Sequence, residues 1–419
     1  MEIIKPRGTI DLMGEPQRKK SRVIKIFGTL CRSLGFEEIS TPMFEQKDLY
    51  VRSVGDNTDI VEKELFTLEN KSESTYALRP ELTAGIVRAL IESGIRGRVL
   101  PIMYYSVGEF FRYDKPQKGR FRQASQLDVE IFGLSDIASD IMLINSIALF
   151  FKKLNVKDKI VFNINTLGSV ETKKAFGEKL VKYLKENKDY LCSDCQRRIE
   201  KNPLRALDCK EEQCKRITVA GPAIYDSLSD QEKNDFKEVI GNLEKLKVPF
   251  NVDQNLVRGL DYYTGLIFEV NLAYDPERKL SLGGGGRYDR LVEELGGGTL
   301  PACGYALGVE RIIDLMDFEA DKKEDQNRKI IVIPTSTKQK GRVLLAQNKI
   351  LENSDVQTLA YLKGSSLSDA LGFASKNNFN FAVIAGDEEA TQNKYILKDL
   401  TKSSQQILDL KEIVSIVSK

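Results

Sequence analysis

The stretch that most constrains the fold is residues 107–133, VGEFFRYDKPQKGRFRQASQLDVEIFG. It reads as strand, charged loop, strand. The first strand ends at Arg112, and the loop carries Lys115, Lys118, Arg120 and Arg122. The second strand has a period of two. Leu127, Val129 and Ile131 point one way, while Gln126, Asp128 and Glu130 point the other. A hairpin with an apolar back, a face of polar acceptors and a cationic loop suits a small polar ligand bound beside a polyanion. An amphipathic surface hairpin has the same pattern, so the rest of the chain must decide between them.

A chain of 419 residues should hold two or three domains. Its net charge of +2 supplies no global field toward nucleic acid, so any such binding must use local patches. No apolar run reaches transmembrane length, and the start, MEIIKPRGTID, lacks a signal-peptide core. A cytoplasmic protein without a membrane partner is expected. Its six cysteines are then thiols or metal ligands rather than disulfides. There is no histidine. No imidazole can act as general base or metal ligand, which excludes Ser-His-Asp and Cys-His catalysis and the H-E-x-x-H zinc proteases.

Along the chain, residues 1–16 read as an extended arm. Val23, Ile26, Phe27, Leu30 and Leu34 form one face of an amphipathic helix that ends at Gly35. FEEISTPMFEQ reads as a strand, with Pro42 marking an edge or interface position. Residues 75–78 form a short strand, after which Pro80 and Glu81 suit the first turn of a helix. Residues 136–155 are a buried helix and 161–166 a strand. From about Gly168 to Lys247 the chain is rich in Lys and Glu, helical in pattern and carries four cysteines, so it reads as an insertion. Strand character returns at 256–270. Residues 319–328 are a charged linker. Beyond Lys329, β and α segments alternate, which predicts a small separate domain with a largely parallel core sheet.

Three arginines, Arg112, Arg258 and Arg311, sit at strand or helix ends beside Gly or aromatic residues. Their planar forks suit phosphate and carboxylate oxygens, and three such positions point to one shared anionic ligand. Gly283–Gly286 lacks the lysine of a phosphate loop, and reads as close backbone approach beside a ligand or as a sheet corner. Cys192-x2-Cys195-x13-Cys209-x4-Cys214 has zinc-like spacing; the four are either thiolate ligands or packed thiols.

Together these motifs resemble those of the histidyl-tRNA synthetases of bacterial type, class II aminoacyl-tRNA synthetases. The residues that carry the resemblance are RGTIDL, GFEEISTPMFE, SVGDNTDIVEKELFTL, LRPELTAG, the hairpin EFFRYDKPQKGRFRQ, RGLDYYTG, GGGRYD and GYALGVERI. RGLDYYTG is the most specific among them. The resemblance implies an α+β fold: an antiparallel class II sheet in a catalytic domain at 1–325, interrupted by the helical insertion at 168–248, then an α/β anticodon-binding domain at 329–419. It implies a homodimer, with ATP, L-histidine and tRNA(His) as partners, and Mg²⁺ with the ATP.

By motif, Arg112, Arg120 and Arg311 resemble ATP contacts, with Arg112 on the α-phosphate and Arg311 on the γ-phosphate. Arg258 resembles the residue between α-phosphate and substrate carboxylate. Glu81, Thr83 and Gln126 resemble contacts to the amino group; Glu130, Tyr262 and Tyr263 line the side-chain pocket. Lys115 and Gln117 fall near the tRNA acceptor end. The hairpin departs from the family pattern at Tyr113, Asp114, Lys115, Ala124 and Ser125. Ala124 stands where the family has the phenylalanine that stacks on adenine, a loss on the order of 1 kcal/mol. A synthetase-like regulatory subunit of ATP phosphoribosyltransferase is the alternative. That paralogue lacks the anticodon domain and tends to lose the catalytic arginines, all of which are present here.

Overall fold

The computed structural model describes residues 3–55, 58, 60–68, 75–95, 97–115, 119–275, 281–316, 328–363, 366–402 and 404–417. Gln117, Lys118 and nearly all of the 319–328 linker lie outside them. The chain divides into two compact units, Met1–Met316 and Asp317–Lys419. No helix among the described residues is long and apolar enough to cross a membrane.

The first unit runs α1 (Glu15–Ser33), β1 (Glu37–Glu38), β2 (Phe44–Gln46), α2 (Lys47–Val54), β3 (Thr67–Leu68), β4 (Tyr76–Leu78) and α3 (Thr83–Glu92). The hairpin follows as β5 (Ile102–Phe111) and β6 (Gln123–Phe132), then α4 (Ile137–Lys153) and β7 (Ile160–Thr166). Next come four insertion helices, α5 (Val170–Glu186), α6 (Ser193–Lys201), α7 (Glu212–Val219) and α8 (Asp230–Lys245). The unit closes with β8 (Phe250–Val252), β9 (Thr264–Leu272), β10 (Ser281–Arg287), α9 (Leu291–Glu294), β11 (Ala302–Gly308) and α10 (Val309–Ile313).

Eight strands form one sheet in the order β1-β5-β6-β11-β10-β9-β7-β8. The pairs are antiparallel except β1 with β5 and β7 with β8. The hairpin is in register from Ile102 opposite Phe132 to Phe111 opposite Gln123. Its apolar face is fully buried: Leu127, Val129 and Ile131 pack in one cluster with Val23 and Phe27 of α1 and Leu143, Ile147 and Phe150 of α4. Each such side chain contributes roughly 1.5–3 kcal/mol by burial. That core covers one face of the sheet and leaves the other for a ligand.

Several elements differ from their sequence reading. FEEISTPMFEQ is two short strands, because Pro42 has no N–H to give a ladder. β1 ends one sheet, while β2 pairs with β4 in a separate three-stranded sheet. The break is held from outside, since Arg79 Nη1 donates to the carbonyls of Thr41 and Pro42. The helix expected at Pro80 starts at Thr83. Residues 256–263 are loop rather than strand, so Arg258 belongs to a loop. Gly283–Gly286 form the middle of β10, where a Cβ at any of the four would fall within 3.0 Å of neighbouring backbone.

The insertion is stapled where it enters and leaves. Ser229 and Glu232 form a capping box at the start of α8, and Glu232 also accepts from Ser169 N–H (2.6 Å) and the Thr172 hydroxyl at the start of α5.

The second unit is a five-stranded sheet in the order β13-β12-β14-β15-β16, with β12 (Lys329–Pro334), β13 (Gln357–Ala360), β14 (Phe381–Ala385), β15 (Tyr395–Asp399) and β16 (Ser404–Leu408). The first three strands are parallel and the last two antiparallel. Helices Lys340–Leu351 and Leu367–Lys376 connect the parallel strands, the second capped by Ser366. The sheet is therefore mixed, with its parallel part at 329–385.

Candidate active site

The open face of β6 carries Gln126, Asp128 and Glu130, and all three are buried. They do not face solvent as an amphipathic surface hairpin would have them. Glu81 and Thr83 meet them from the segment between β4 and α3. Glu81 Oε1 accepts from Ala84 N–H in the first turn of α3 at 3.0 Å, which holds the carboxylate in place. Thr83 Oγ1 lies 3.5 Å from Asp128 Oδ1. What distinguishes this pocket is its unpartnered acceptors. Glu81 Oε2, Gln126 Oε1, Asp128 Oδ2 and both Glu130 oxygens are buried without a hydrogen-bond partner. Such groups are costly unless a ligand donates to them.

The electrostatics agree. Burial, and then the Asp128 carboxylate beside it, hold Glu130 well above the ordinary carboxylate range; burial raises Asp128 to about 8, with the adjoining Glu130 side chain opposing the rise and Glu81 adding to it. Burial also raises Glu81, countered by the Ala84 N–H. A cationic or N–H-rich ligand would draw all three toward their ionised forms.

Tyrosines close the pocket. The ring centroids of Tyr262 and Tyr263 are 4.7 Å apart, and Tyr288 packs edge-on at 5.3 Å and 6.2 Å. The Tyr262 phenol is pushed far up by burial, then by Tyr263, Glu81 and Glu130, so it stays a donor. Tyr288 OH is itself buried and unpartnered. Gly304 makes room for this corner, since a Cβ there would lie 1.7 Å from Glu130 Oε2 and 2.6 Å from Tyr288 OH.

The arginines converge beside this pocket. Arg112 Nε donates to Pro80 O at 2.8 Å, which ties the cationic side to the Glu81 segment. Arg258 pairs with Glu269 at 2.9 Å, and its Nε is buried without a partner. Arg311 Nε donates to Gly119 O at 2.7 Å, and its Nη1 to Ser281 O. The Arg311 guanidinium is lowered to about 10, by burial first and then by Arg120 and Arg112. Mutual repulsion of this kind marks a site shaped for polyanion oxygens. Arg120 is also held by Asp114 at 3.1 Å, and Lys115 is exposed on the hairpin loop. Ala124 is buried in β6 opposite Phe110, over whose ring Arg112 lies at 5.2 Å.

All the residues singled out from the sequence for the amino-acid and ATP sites thus line one region of this unit. Gln117 lies outside the described residues. The sequence reading gave no role to Tyr288, Gly304 or Glu269, and placed Asp128 only as one acceptor on the polar face of β6. Asp128 was visible in the period-two pattern as a third acceptor. Gly304 left no local signal, because its constraint comes from a strand far away in sequence. Glu310, in the first turn of α10, reaches back to β6: it accepts from Ser125 N–H at 2.8 Å and from the Ser125 hydroxyl at 2.9 Å. The same oxygen lies 2.8 Å from Glu109 Oε1, so its single proton is shared between the two carboxylates, and Glu109 pairs with Lys20 of α1 at 3.0 Å.

A largely antiparallel sheet with a buried acceptor pocket next to converging arginines is the catalytic architecture of a class II aminoacyl-tRNA synthetase. The family model described as Histidyl-tRNA synthetase matches residues 8–312, and that described as Anticodon binding domain matches 329–419. The chain belongs to the histidyl-tRNA synthetase family. It is 36% identical over 411 residues to the histidine–tRNA ligase of Acetivibrio thermocellus, covering 98% of each chain. It is 38% identical over 413 residues to that of Aquifex aeolicus, covering 99% of this chain and 100% of the other. The crystal structure of apo S. aureus histidyl-tRNA synthetase superposes with a TM-score of 0.82 at 28% identity, with both chains covered in full.

Proposed function

We propose that this chain is a histidine–tRNA ligase that activates L-histidine with ATP and transfers it to the 3′ end of tRNA(His), using the site described above. The observation that carries the assignment of the site is the set of buried, unpartnered acceptors on Glu81, Gln126, Asp128 and Glu130. L-Histidine offers a matching set of donors: an ammonium group and imidazole N–H. Glu81, Thr83 and Gln126 receive the ammonium group; Glu130, with Tyr262 and Tyr263, receives the imidazole. A pocket built this way rejects apolar amino acids, which would leave its acceptors desolvated and unpaired.

The histidine carboxylate attacks the α-phosphorus of ATP. The O–P bond to the leaving pyrophosphate breaks, and histidyl-adenylate forms. Arg258 neutralises the carboxylate and α-phosphate, Arg112 the α-phosphate, and Arg120 and Arg311 the outer phosphates. Magnesium carried by the ATP would add further neutralisation of phosphate charge. The tRNA 3′-hydroxyl then attacks the adenylate carbonyl. Both steps need positioning and charge neutralisation rather than a protein nucleophile, which suits a chain with no imidazole.

Lys115 and Gln117 guide the acceptor end, and the 329–419 domain reads the anticodon. The protein works in the cytoplasm as a homodimer joined through the segment around Pro42. Met43 and Phe44, 52% and 53% exposed there, support that face as one that a second copy covers. Histidine-dependent ATP–pyrophosphate exchange is the test. Absence of exchange by the folded protein would overturn the ligase reading in favour of a regulatory subunit.

A further inference from the structure

Cys192 precedes α6, Cys195 is in its first turn, Cys209 follows a short turn at Pro203–Ala206, and Cys214 is in the first turns of α7. The four Sγ atoms all lie within 4.8 Å of one another. Cys192 and Cys209 are 3.8 Å apart, far beyond a disulfide bond of about 2.0 Å. A tetrahedron of thiolates at about 2.3 Å from zinc has edges of about 3.8 Å. Backbone N–H groups also point at the sulfurs: Cys192 N–H to Cys214 Sγ at 3.2 Å, and Cys195 N–H to Cys192 Sγ at 3.5 Å. Bonds of this kind favour thiolate over thiol. Leu191, Ile199, Ala206 and Leu207 pack around three buried cysteines and keep water out. Packed thiols alone need neither a four-sulfur tetrad nor amides aimed at it.

We propose that these four cysteines bind one Zn²⁺ in a closed tetrathiolate site, and that this clip braces the loop at 256–263 that carries Arg258, Tyr262 and Tyr263. The residues between the two cysteine pairs make the brace. Asn202 Nδ2 donates to Asp261 Oδ1 at 2.7 Å, and Arg205 Nη1 to Arg258 O at 3.4 Å. Arg198 Nη1 in turn holds Arg205 O at 3.1 Å. A cavity of about 240 Å³ separates the two segments, lined by Asn202, Arg205, Val257, Arg258 and Asp261 among others. Point contacts across a gap transmit position only if the donor segment is itself fixed. Residues 192–214 have short helices and no strand, so a metal would fix the segment beyond what its small apolar cluster supplies. The metal site stands by itself, while the bracing role rests on the proposed function.

The experiment uses the full chain without a polyhistidine tag, purified under reducing conditions. Elemental analysis should find one zinc per chain, and Cys209→Ser should lose it. Cobalt substitution should give the thiolate charge-transfer and tetrahedral ligand-field bands. No zinc after equilibration with the metal, or no thiolate bands with cobalt, overturns the site. Chelation should raise the KM for histidine about tenfold, with recovery on adding zinc. Asn202→Ala should raise the same KM with its zinc retained. A stripped chain that stays folded by circular dichroism and keeps its histidine KM overturns the brace. Zinc bound without any pyrophosphate exchange would count against the ligase reading instead, leaving the metal site in place.

Discussion

Gly304→Ala tests the wall of the amino-acid pocket. Gly304 pairs with Glu130 across β11 and β6. A Cβ would stand 1.7 Å from Glu130 Oε2, 2.5 Å from Val129 O and 2.6 Å from Tyr288 OH. All three distances are too short for carbon against oxygen. The carboxylate can swing aside; the backbone carbonyl cannot move without the strand. Overpacking of this kind costs about 1–3 kcal/mol of stability, read as a lowered unfolding midpoint. Swinging Glu130 away removes a charge-assisted hydrogen bond to the imidazole, about 1.5–3 kcal/mol. At 1.36 kcal/mol per factor of ten, kcat/KM for histidine should fall roughly 10- to 150-fold. The loss should appear in pyrophosphate exchange as a raised KM for histidine with little change in that for ATP. A folded variant with the parent's histidine KM would refute the placement of Glu130 as the imidazole partner.

Gly177→Ala is the matching control: nothing lies within 4 Å of a Cβ at this α5 position, so it should stabilise by about 0.5–1 kcal/mol in a urea titration. Asp128→Asn should move the acid limb of kcat/KM for histidine to lower pH. Burial and then Asp128 hold Glu130 up, so removing that charge lets Glu130 ionise at a lower pH; a limb that stays or rises refutes the coupling. Asp140→Ala removes the buried partner of Arg287, whose Nη2 sits 2.6 Å from Asp140 Oδ2, and leaves it to Asp289 at 3.2 Å; it should cost about 3 kcal/mol by denaturant unfolding. Glu232→Gln should be less stable than the parent near neutral pH and approach it in acid. Partial burial opposes the shift, but the N–H donors of Ser169 and Ser229 outweigh it and hold Glu232 at about 2. A depressed carboxylate contributes its stability above the usual 4.5 and loses it as pH falls toward 2, so a thermal-melt gap that persists there refutes the staple.

The period-two pattern of 123–132 and the apolar run of 137–153 were legible because each repeats a local rule over many residues. The alternation after Lys329 was legible for the same reason. Residues 256–263 misled because Tyr262 and Tyr263 favour strands, yet here they line a pocket. Gly283–Gly286 was legible as close backbone approach, since a Cβ at each would meet neighbouring main chain, while its place in the middle of a strand runs against the low strand preference of glycine. In both places local preference gives way to the site. The antiparallel order of the sheet became legible only through family resemblance, since composition gave no more than a mixed α+β core. The Glu310–Ser125 link and the fit of Gly304 against Glu130 are contacts between distant segments, for which one sequence has no signal.

The glycine run of β10 has a consequence for how such a site changes over time. Four consecutive positions at the centre of the sheet project no side chain, and none has space for one. Whatever lies across that strip meets main chain, whose shape no substitution can graduate. New preferences must therefore arise at the borders, in the loop at 256–263, on β6 or at Tyr288. The strip acts as a fixed datum against which only the surrounding walls can be redrawn.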